Sequence, residues 1–447
     1  MDTLLEETTP AKEPVTRQRR NGTARSTACL TAVQKPWLRA QAINVTRHAA
    51  ALRPFRREEF GTGAAAPTEA HIRAANDLIS SLRRVLLKQA RRVTDAAETA
   101  QSEPSTQNLQ QVVRRKDRAH RWVQGIELIW DFYFELFKQR QSEFGDWLVS
   151  CDRIALDCYQ AAFTNIGVAR SIPSPPPFAY MRTGRSPATF RRGIPLRRLG
   201  KQLNPFPLVQ LPYHRLVNPW TLGAILHEVG HNLHNDLGLA QIIPHNIERR
   251  LVQEGHNPLV AAVWKRWNRE LFADVIGLLL GGPAVVGSLL DVIGRSPSTV
   301  FGYSSHGVHP TPYLRAFLSI ELLRRMGFSN EAQRYRHMWT RMYPNPRAGN
   351  IPRALIESHP AAIAQVVETV CYQPYAALGK KSLAQVFRFS PKEQVMIEEA
   401  AQRLAAGVDP GIIPERFGIG AARFALDNRF ARPATITENF YKALARR

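Results

Sequence analysis

The chain has 447 residues, about three times a usual domain length, which is enough to bury a core and excludes a disulfide-stapled miniprotein. Hydrophobic residues make up 44% and charged residues 22%, the balance of a globular protein. Sixty Lys and Arg against 37 Asp and Glu leave a formal charge of +23, which attracts nucleic acid, acidic lipid or acidic protein but does not select a fold.

Residues 1–65 are rich in Thr, Arg and Pro without sustained periodicity and read as a mobile, basic N-terminal segment. Asp2, Glu6 and Glu7 stand where a secretory signal would carry base, and no apolar segment follows. Export is not expected, and the sequons at Asn21 and Asn44 read as unused. From 66 to 170 the chain turns helical. Pro67 and Thr68 open a segment in which Ile72, Leu78, Ile79, Leu82, Leu86 and Leu87 recur at three- and four-residue steps, and a second run carries Leu128, Ile129, Phe132, Phe134 and Phe137. This stretch reads as a helical scaffold whose solvated faces bear Arg83, Arg84, Arg91, Arg92, Arg114, Arg115 and Lys116. The four cysteines, Cys29, Cys151, Cys158 and Cys371, lack the paired short spacing of a zinc ribbon and are too few for a disulfide framework. Reduced thiols in a cytoplasmic protein are the simpler expectation.

Between Ile172 and Lys201 the chain becomes a Pro- and Arg-rich loop or hairpin, and Arg182 to Lys201 hold seven cations without an acid. Pro207 to Tyr213, PLVQLPY, is an extended apolar segment bracketed by Pro207 and Pro212, as in an edge strand. Its centre, Val209, Gln210 and Leu211, would offer main-chain hydrogen bonds to an extended peptide. Helical patterning resumes at Pro219 and runs to the C-terminus. The uncharged stretch Val275 to Leu290 has 16 residues, short of the roughly 20 a membrane helix needs, and Gly281, Gly282 and Pro283 divide it into a buried helix pair. Ser390, Pro391 and Glu393 fit a capping box with proline in the first helical position.

The stretch that carries chemistry is Thr221 to Leu239, TLGAILHEVGHNLHNDLGL. His227 and His231 are four apart, so on a helix they project from one face and reach one metal ion, while Glu228 can face a metal-bound water as general base. Leu222, Ile225, Leu226, Val229 and Leu233 anchor that helix in a core. Downstream, Trp267 to Gly277 reads WNRELFADVIG, with Glu270 and Asp274 one turn apart. Two His and one Glu form a known zinc set that leaves the fourth position open, so Glu270 is the third candidate ligand. Asp274 then sits where a supporting carboxylate would accept the remaining N–H of a liganding imidazole. His234, His245 and His256 read as polar side chains around the mouth of the site.

These motifs resemble those of the gluzincin metallopeptidases, and within them the M48 peptidases, whose second motif is ExxxD, commonly ExxAD; here it stands as Glu270, Leu271, Phe272, Ala273 and Asp274. The resemblance extends to a downstream HP with an arginine six residues after the histidine, met by His309, Pro310 and Arg315 but not by His306. It covers about residues 205 to 320, with 38 residues between His231 and Glu270 and no membrane helices. It implies a zincin-like core holding one Zn2+ per chain and hydrolysing peptide bonds, with His309 or Arg315 supplying a donor to the oxyanion and the other helping to position it. The expected fold is mainly α (α+β), with a zinc metallopeptidase core at 171–330 containing a small edge-stranded sheet, and a helical region at 331–447 packed on that core. The substrate would be a peptide or protein, acidic if the charge guides it. The rival reading is a non-catalytic zinc-containing protein that binds nucleic acid or another protein, for which the basic clusters speak.

Overall fold

Helix formation begins earlier than the composition of the N-terminal segment suggests. In the computed structural model, which describes residues 33–184, 186–195 and 201–447, α1 spans Gln34–Ala51. Its buried stripe is Leu38, Gln41, Val45 and Ala49, helical in spacing but with one large apolar side chain, so the pattern is faint in the sequence. The expected unstructured segment is therefore corrected from Gln34 onward, and residues 1–32, with Cys29, lie outside the described residues. Thr68 caps α2 (Glu69–Ser102) by accepting the His71 N–H, and Ser105 caps α3 (Thr106–Lys138) by accepting the Asn108 N–H. Small residues set the spacing of these three helices: Leu38 packs with Ala97, Ala100 and Val112 at one level, and Val45 with Ala90, Val93 and Ala119 at the next. Leu128, expected inside, faces out.

The chain divides into two compact units, Met1–Gln141 with Arg192–Pro205, and Ser142–Arg191 with Phe206–Arg447. The helical scaffold anticipated over 66–170 is thus cut at Gln141. Its last helix, α4 (Gly145–Ile166), belongs with the motif-bearing unit, into whose core it sends Leu148, Cys151, Ile154 and Cys158.

The sheet of the second unit has three short strands, β1 (Phe178–Met181), β2 (Ala188–Phe190) and β3 (Leu208–Leu211), in the order β1-β3-β2. β3 runs parallel to β1 and antiparallel to β2. The segment expected at the edge is therefore the central strand. Pro207 and Pro212 lie just outside it, so its own N–H groups all remain available to the ladders, and proline brackets do not distinguish the two positions. On the outer side of β1 the Ala179 N–H donates to the Asp152 carboxylate of α4. β2 has a strand on one side only among the described residues.

A single-turn helix, α5 (Tyr213–Leu216), leads into α6 (Gly223–Asp236), α7 (Ile242–Gln253) and α8 (Pro258–Gly281). Asn257 caps α8 by accepting the Leu259 N–H, with Pro258 in its first turn. Gly282, at φ 66, ends it, and Pro283 opens α9 (Pro283–Ile293), which is the division expected at the Gly-Gly-Pro. No helix among the described residues is long and apolar enough to cross a membrane. The remaining helices are α10 (Pro297–Val300), α11 (Pro312–Arg325), α12 (Ser329–Met342), α13 (Arg353–Val367), α14 (Leu383–Val386), α15 (Pro391–Ala405), α16 (Phe417–Asp427) and α17 (Pro433–Ala445). They continue the same hydrophobic core. The capping box at the start of α15 forms between Ser390 and Glu393.

α6 and α8 cross at Gly230. A Cβ there would lie 2.9 Å from Ala273 Cα and 3.1 Å from Ala273 O, atoms of a backbone that cannot swing aside. Gly230→Ala gains roughly 1 kcal/mol of helix propensity but must separate the two helices, a strain of about 1–3 kcal/mol. Thermal unfolding should show a melting point several degrees lower together with weaker metal uptake; an unchanged melting point and metal affinity would remove the close crossing as a constraint.

Candidate metal centre

The crossing sets the α6 face that carries His227 and His231 against the α8 face that carries Glu270. His227 Nε2 lies 3.5 Å from Glu270 Oε2, and His231 Nε2 lies 3.4 Å from Glu270 Oε1. One ligand atom from each of the three residues falls within 4.8 Å of the others, so the group can hold a metal ion. Tetrahedral ligands at about 2.0–2.1 Å from a zinc-sized ion stand roughly 3.4 Å apart, close to the separations found. Glu270 is 7% and His231 8% exposed, so the donors are withheld from bulk water.

Asp274, one turn along α8, faces His227: Oδ1 lies 2.8 Å from Nδ1, a close charge contact whose N–H is not aligned as a hydrogen bond in the metal-free site. This leaves Nε2 of the same ring directed at the ion position, and the carboxylate fixes the tautomer. Asp274 is held in turn by Arg315 of α11, whose Nε donates to Oδ2 at 2.6 Å and Nη2 to Oδ1 at 2.8 Å. The same Nη2 is 3.5 Å from Glu270 Oε2. His231 Nδ1 has no such partner among the described residues. His309 lies on the loop before α11, with Nε2 3.5 Å from Glu270 Oε1 and its side chain 69% exposed. That loop is fastened by the Arg266 Nε hydrogen bond to Gly307 O and by paired hydrogen bonds between Asn350 and the Tyr303 backbone. His306 on the same loop is exposed.

The protonation states follow from burial and neighbours. Burial alone would lower the His227 pKa, but the Asp274 and Glu270 carboxylates outweigh it and raise it to about 9. Burial, reinforced by charge on His227, lowers His231 to about 3, so its nitrogen lone pair is free. Burial would raise both α8 carboxyls, yet His227 and Arg315 prevail: Glu270 falls to about 2 and Asp274 lies far below the usual carboxylate range. Glu228 moves the other way, its carboxyl pushed up chiefly by burial. With Glu228, Glu270 and Asp274 ionised against Arg315 and a protonated His227, the metal-free site carries a formal charge of −1, which becomes −2 when His227 gives up its proton to act as a ligand. Uncompensated buried charge is costly, and a divalent cation brings the sum to zero. The donor set and the charge both fit a metal; neither selects which one.

A cavity of about 300 Å³ opens onto these groups. His227, Glu228, His231, Glu270, Asp274, His309 and Arg315 line one part of it, and Leu278, Val285, Val286, Leu289 and Val292 form an apolar wall. Gly223 of α6 meets Ser288 of α9 there, where a Cβ would be 2.9 Å from the serine side chain. The apolar wall and the loop at Ser186 and Pro187 were not anticipated from the sequence; the α9 residues carried only the signal of a buried helix.

Other expectations are corrected. Val209 and Leu211 are buried in the central strand and Gln210 is engaged by Tyr180, so none of the three has a free ladder to offer a peptide. β2 is the strand tied to the metal helix, because Asn232 Nδ2 donates to Thr189 Oγ1 at 2.9 Å and to Tyr159 Oη at 2.8 Å. His234 is not at the mouth. It is buried and stacked on Phe272, with ring centroids 4.3 Å apart, and burial lowers its pKa to about 4. His245 is exposed on α7, and His256 is half-buried in the turn beyond it. Cys151, Cys158 and Cys371 are buried, the last two as free thiols.

Comparison of the chain with protein-family models, with curated proteins and with solved structures gives no match.

In the metal-free protein the raised His227 pKa contributes stability that is complete below about 6.5 and lost as pH rises through about 9. A cation competes with that proton, so affinity for a divalent ion should climb about tenfold per pH unit from 7 toward 9. Calorimetry at pH 8 in buffers of different ionisation enthalpy should register close to one proton released per ion bound; uptake without proton release would disprove the assignment of His227. Glu270→Ala should abolish stoichiometric binding, whereas Asp274→Asn should weaken it about 10–100-fold. Equal affinity in wild type and Asp274→Asn would deny the carboxylate its orienting part.

Proposed function

We propose that the chain is a zinc-dependent metalloendopeptidase of the gluzincin type, similar to the M48 peptidases. The observation that carries this reading is the convergence of two imidazole nitrogens and the Glu270 carboxylate on one point, with Glu228 of the same helix in the same cavity. Zinc held by His227, His231 and Glu270 would bring the pKa of a coordinated water toward 7 and polarise a scissile carbonyl. The residues of the chain do the rest.

Glu228 takes the proton of the attacking water and delivers it to the leaving amine. Burial raises its carboxyl pKa, the direction that suits a group that must both accept and release a proton. Between the two residues named for the oxyanion, geometry favours His309. Its Nε2 is exposed beside Glu270, whereas the Arg315 guanidinium is committed to Asp274 by two hydrogen bonds. Arg315 therefore acts as the positioning group: it fixes Asp274, and Asp274 fixes the His227 ring.

A peptide would lie beside β2 at the mouth of the cavity, where Ser186 and Pro187 line it and Thr189 is hydrogen-bonded to Asn232 of α6. The side chain nearest the cleaved bond would meet Leu278, Val285, Val286, Leu289 and Val292. An apolar side chain gains from that wall, while among the described lining residues an acidic one would meet Arg315, already paired, and His309. The charge of the whole chain is thus a poor guide to the cleaved residue.

Glu228→Gln keeps the shape of the site and removes the base. Its turnover of a mixed peptide library should fall about 10²–10⁴-fold with zinc content unchanged, because the residue is not a ligand. Wild-type protein carrying one zinc per chain and cleaving no peptide in the library, or Glu228→Gln cleaving as fast as wild type, would overturn the reading.

A further inference from the structure

We infer that the paired helices α2 and α3 form a docking surface for the phosphate backbone of a nucleic acid. Nine residues of α2, 84–92, carry Arg84, Lys88, Arg91 and Arg92, and eight residues of α3, 114–121, carry Arg114, Arg115, Lys116, Arg118 and Arg121. Asp117 is the only carboxylate in the two stretches. They lie at one level of the helical unit, because Ala90 and Val93 of α2 pack with Ala119 of α3 in one cluster.

Helical spacing turns this composition into rows. Arg84, Lys88 and Arg91 follow the i, i+4, i+7 rule on α2, and Arg114, Arg118 and Arg121 follow it on α3, each row spanning about 10 Å. All six are exposed, as is Arg92. None of the nine cations is in an ion pair among the described residues: Arg114 donates to the neutral Gln110, and Lys116 lies 6.0 Å from the Trp37 ring centroid. Like charges one turn apart on a helix repel, and no ion pair among the described residues offsets that repulsion. A polyanion offsets it and releases its own counterions on doing so.

The chemistry favours a nucleic acid over a bilayer. Seven of the nine cations are arginines, whose planar fork binds phosphate oxygens in pairs. The apolar stripes, Leu86, Ala90 and Val93 on α2 and Val112, Ala119 and Val123 on α3, are consumed in the core, so neither helix keeps an apolar face to insert into lipid. Contacts of this kind read the backbone and not the bases, so DNA and RNA share the chemistry.

The test uses the full chain and the fluorescence anisotropy of a labelled DNA duplex of about 24 base pairs, with an RNA duplex in parallel, between about 50 and 200 mM salt. The logarithm of the binding constant should fall linearly with the logarithm of salt, at a slope near −0.9 per phosphate neutralised. Arg114→Glu/Arg118→Glu/Arg121→Glu should weaken binding at least about tenfold and flatten the slope by about 2–3, and Arg84→Glu/Lys88→Glu/Arg91→Glu should do the same. All six positions are exposed, so both variants should keep the wild-type circular dichroism; should one misfold, the other decides. Arg341→Glu/Lys392→Glu/Arg403→Glu removes the same charge elsewhere and should leave binding within about twofold. The proposal is overturned by any of three results: no binding of either duplex at the lowest salt, a control variant as weak as the helix variants, or loss in the helix variants confined to phosphatidylserine vesicles.

Discussion

The candidate metal centre depends on how closely α6 and α8 can approach. Glycine at 230 places the backbone of α6 against Ala273, and the Cβ that Gly277 lacks would sit 3.4 Å from the His227 backbone nitrogen. These small residues lie among the chemically important ones: Gly230 precedes His231, Ala273 precedes Asp274, and Gly277 is one turn beyond Ala273. A branched residue at any of them would push the axes apart, and a carboxylate on one helix would then fail to reach the two imidazoles of the other. The small residues thus serve distance as much as packing.

Close approach creates the next requirement, because it gathers ionisable groups where water is scarce. Glu270 and Asp274 sit in a core of Trp264, Trp267, Leu271 and Phe272, and burial taken alone would keep both protonated. Arg315 reverses this for Asp274 through two parallel hydrogen bonds, the arrangement in which guanidinium and carboxylate interact most strongly. Asp274 then orients His227 through Nδ1. The order runs from α11 through α8 to α6, so a residue 45 positions beyond Glu270 governs the tautomer of a ring 43 positions before it. His231 lacks such a partner among the described residues, and its orientation must come from packing.

How much of this the sequence discloses follows from the range of each interaction. His227 with His231, and Glu270 with Asp274, are related by one helical turn, and a turn is a property of the local chain. The break at Gly281, Gly282 and Pro283 and the box at Ser390 are local in the same sense. The position of β3 is not: whether a strand is central or at an edge depends on residues 178–181 and 188–190, and nothing within PLVQLPY encodes them. Arg315 and His309 stand six apart in one motif, and only the presence of Asp274 opposite the guanidinium separates their parts. α1 escaped because alanine and glutamine fill a stripe that bulkier residues usually mark.

The same distinction locates the charge of +23. Among the described residues the cavity is lined by three carboxylates and five aliphatic side chains, and the one guanidinium among them is already committed. Cations that could meet an outside partner must therefore lie elsewhere, and those of α2 and α3 stand on faces that folding leaves unneutralised. Burial decides this division. A charge drawn into the core must find an opposite charge at once, as Arg315 does, whereas a charge left in water may remain single at small cost. Net charge is a sum over both kinds and so describes neither; the solvated cations set what the protein attracts, and the buried ones set the geometry of the candidate metal site.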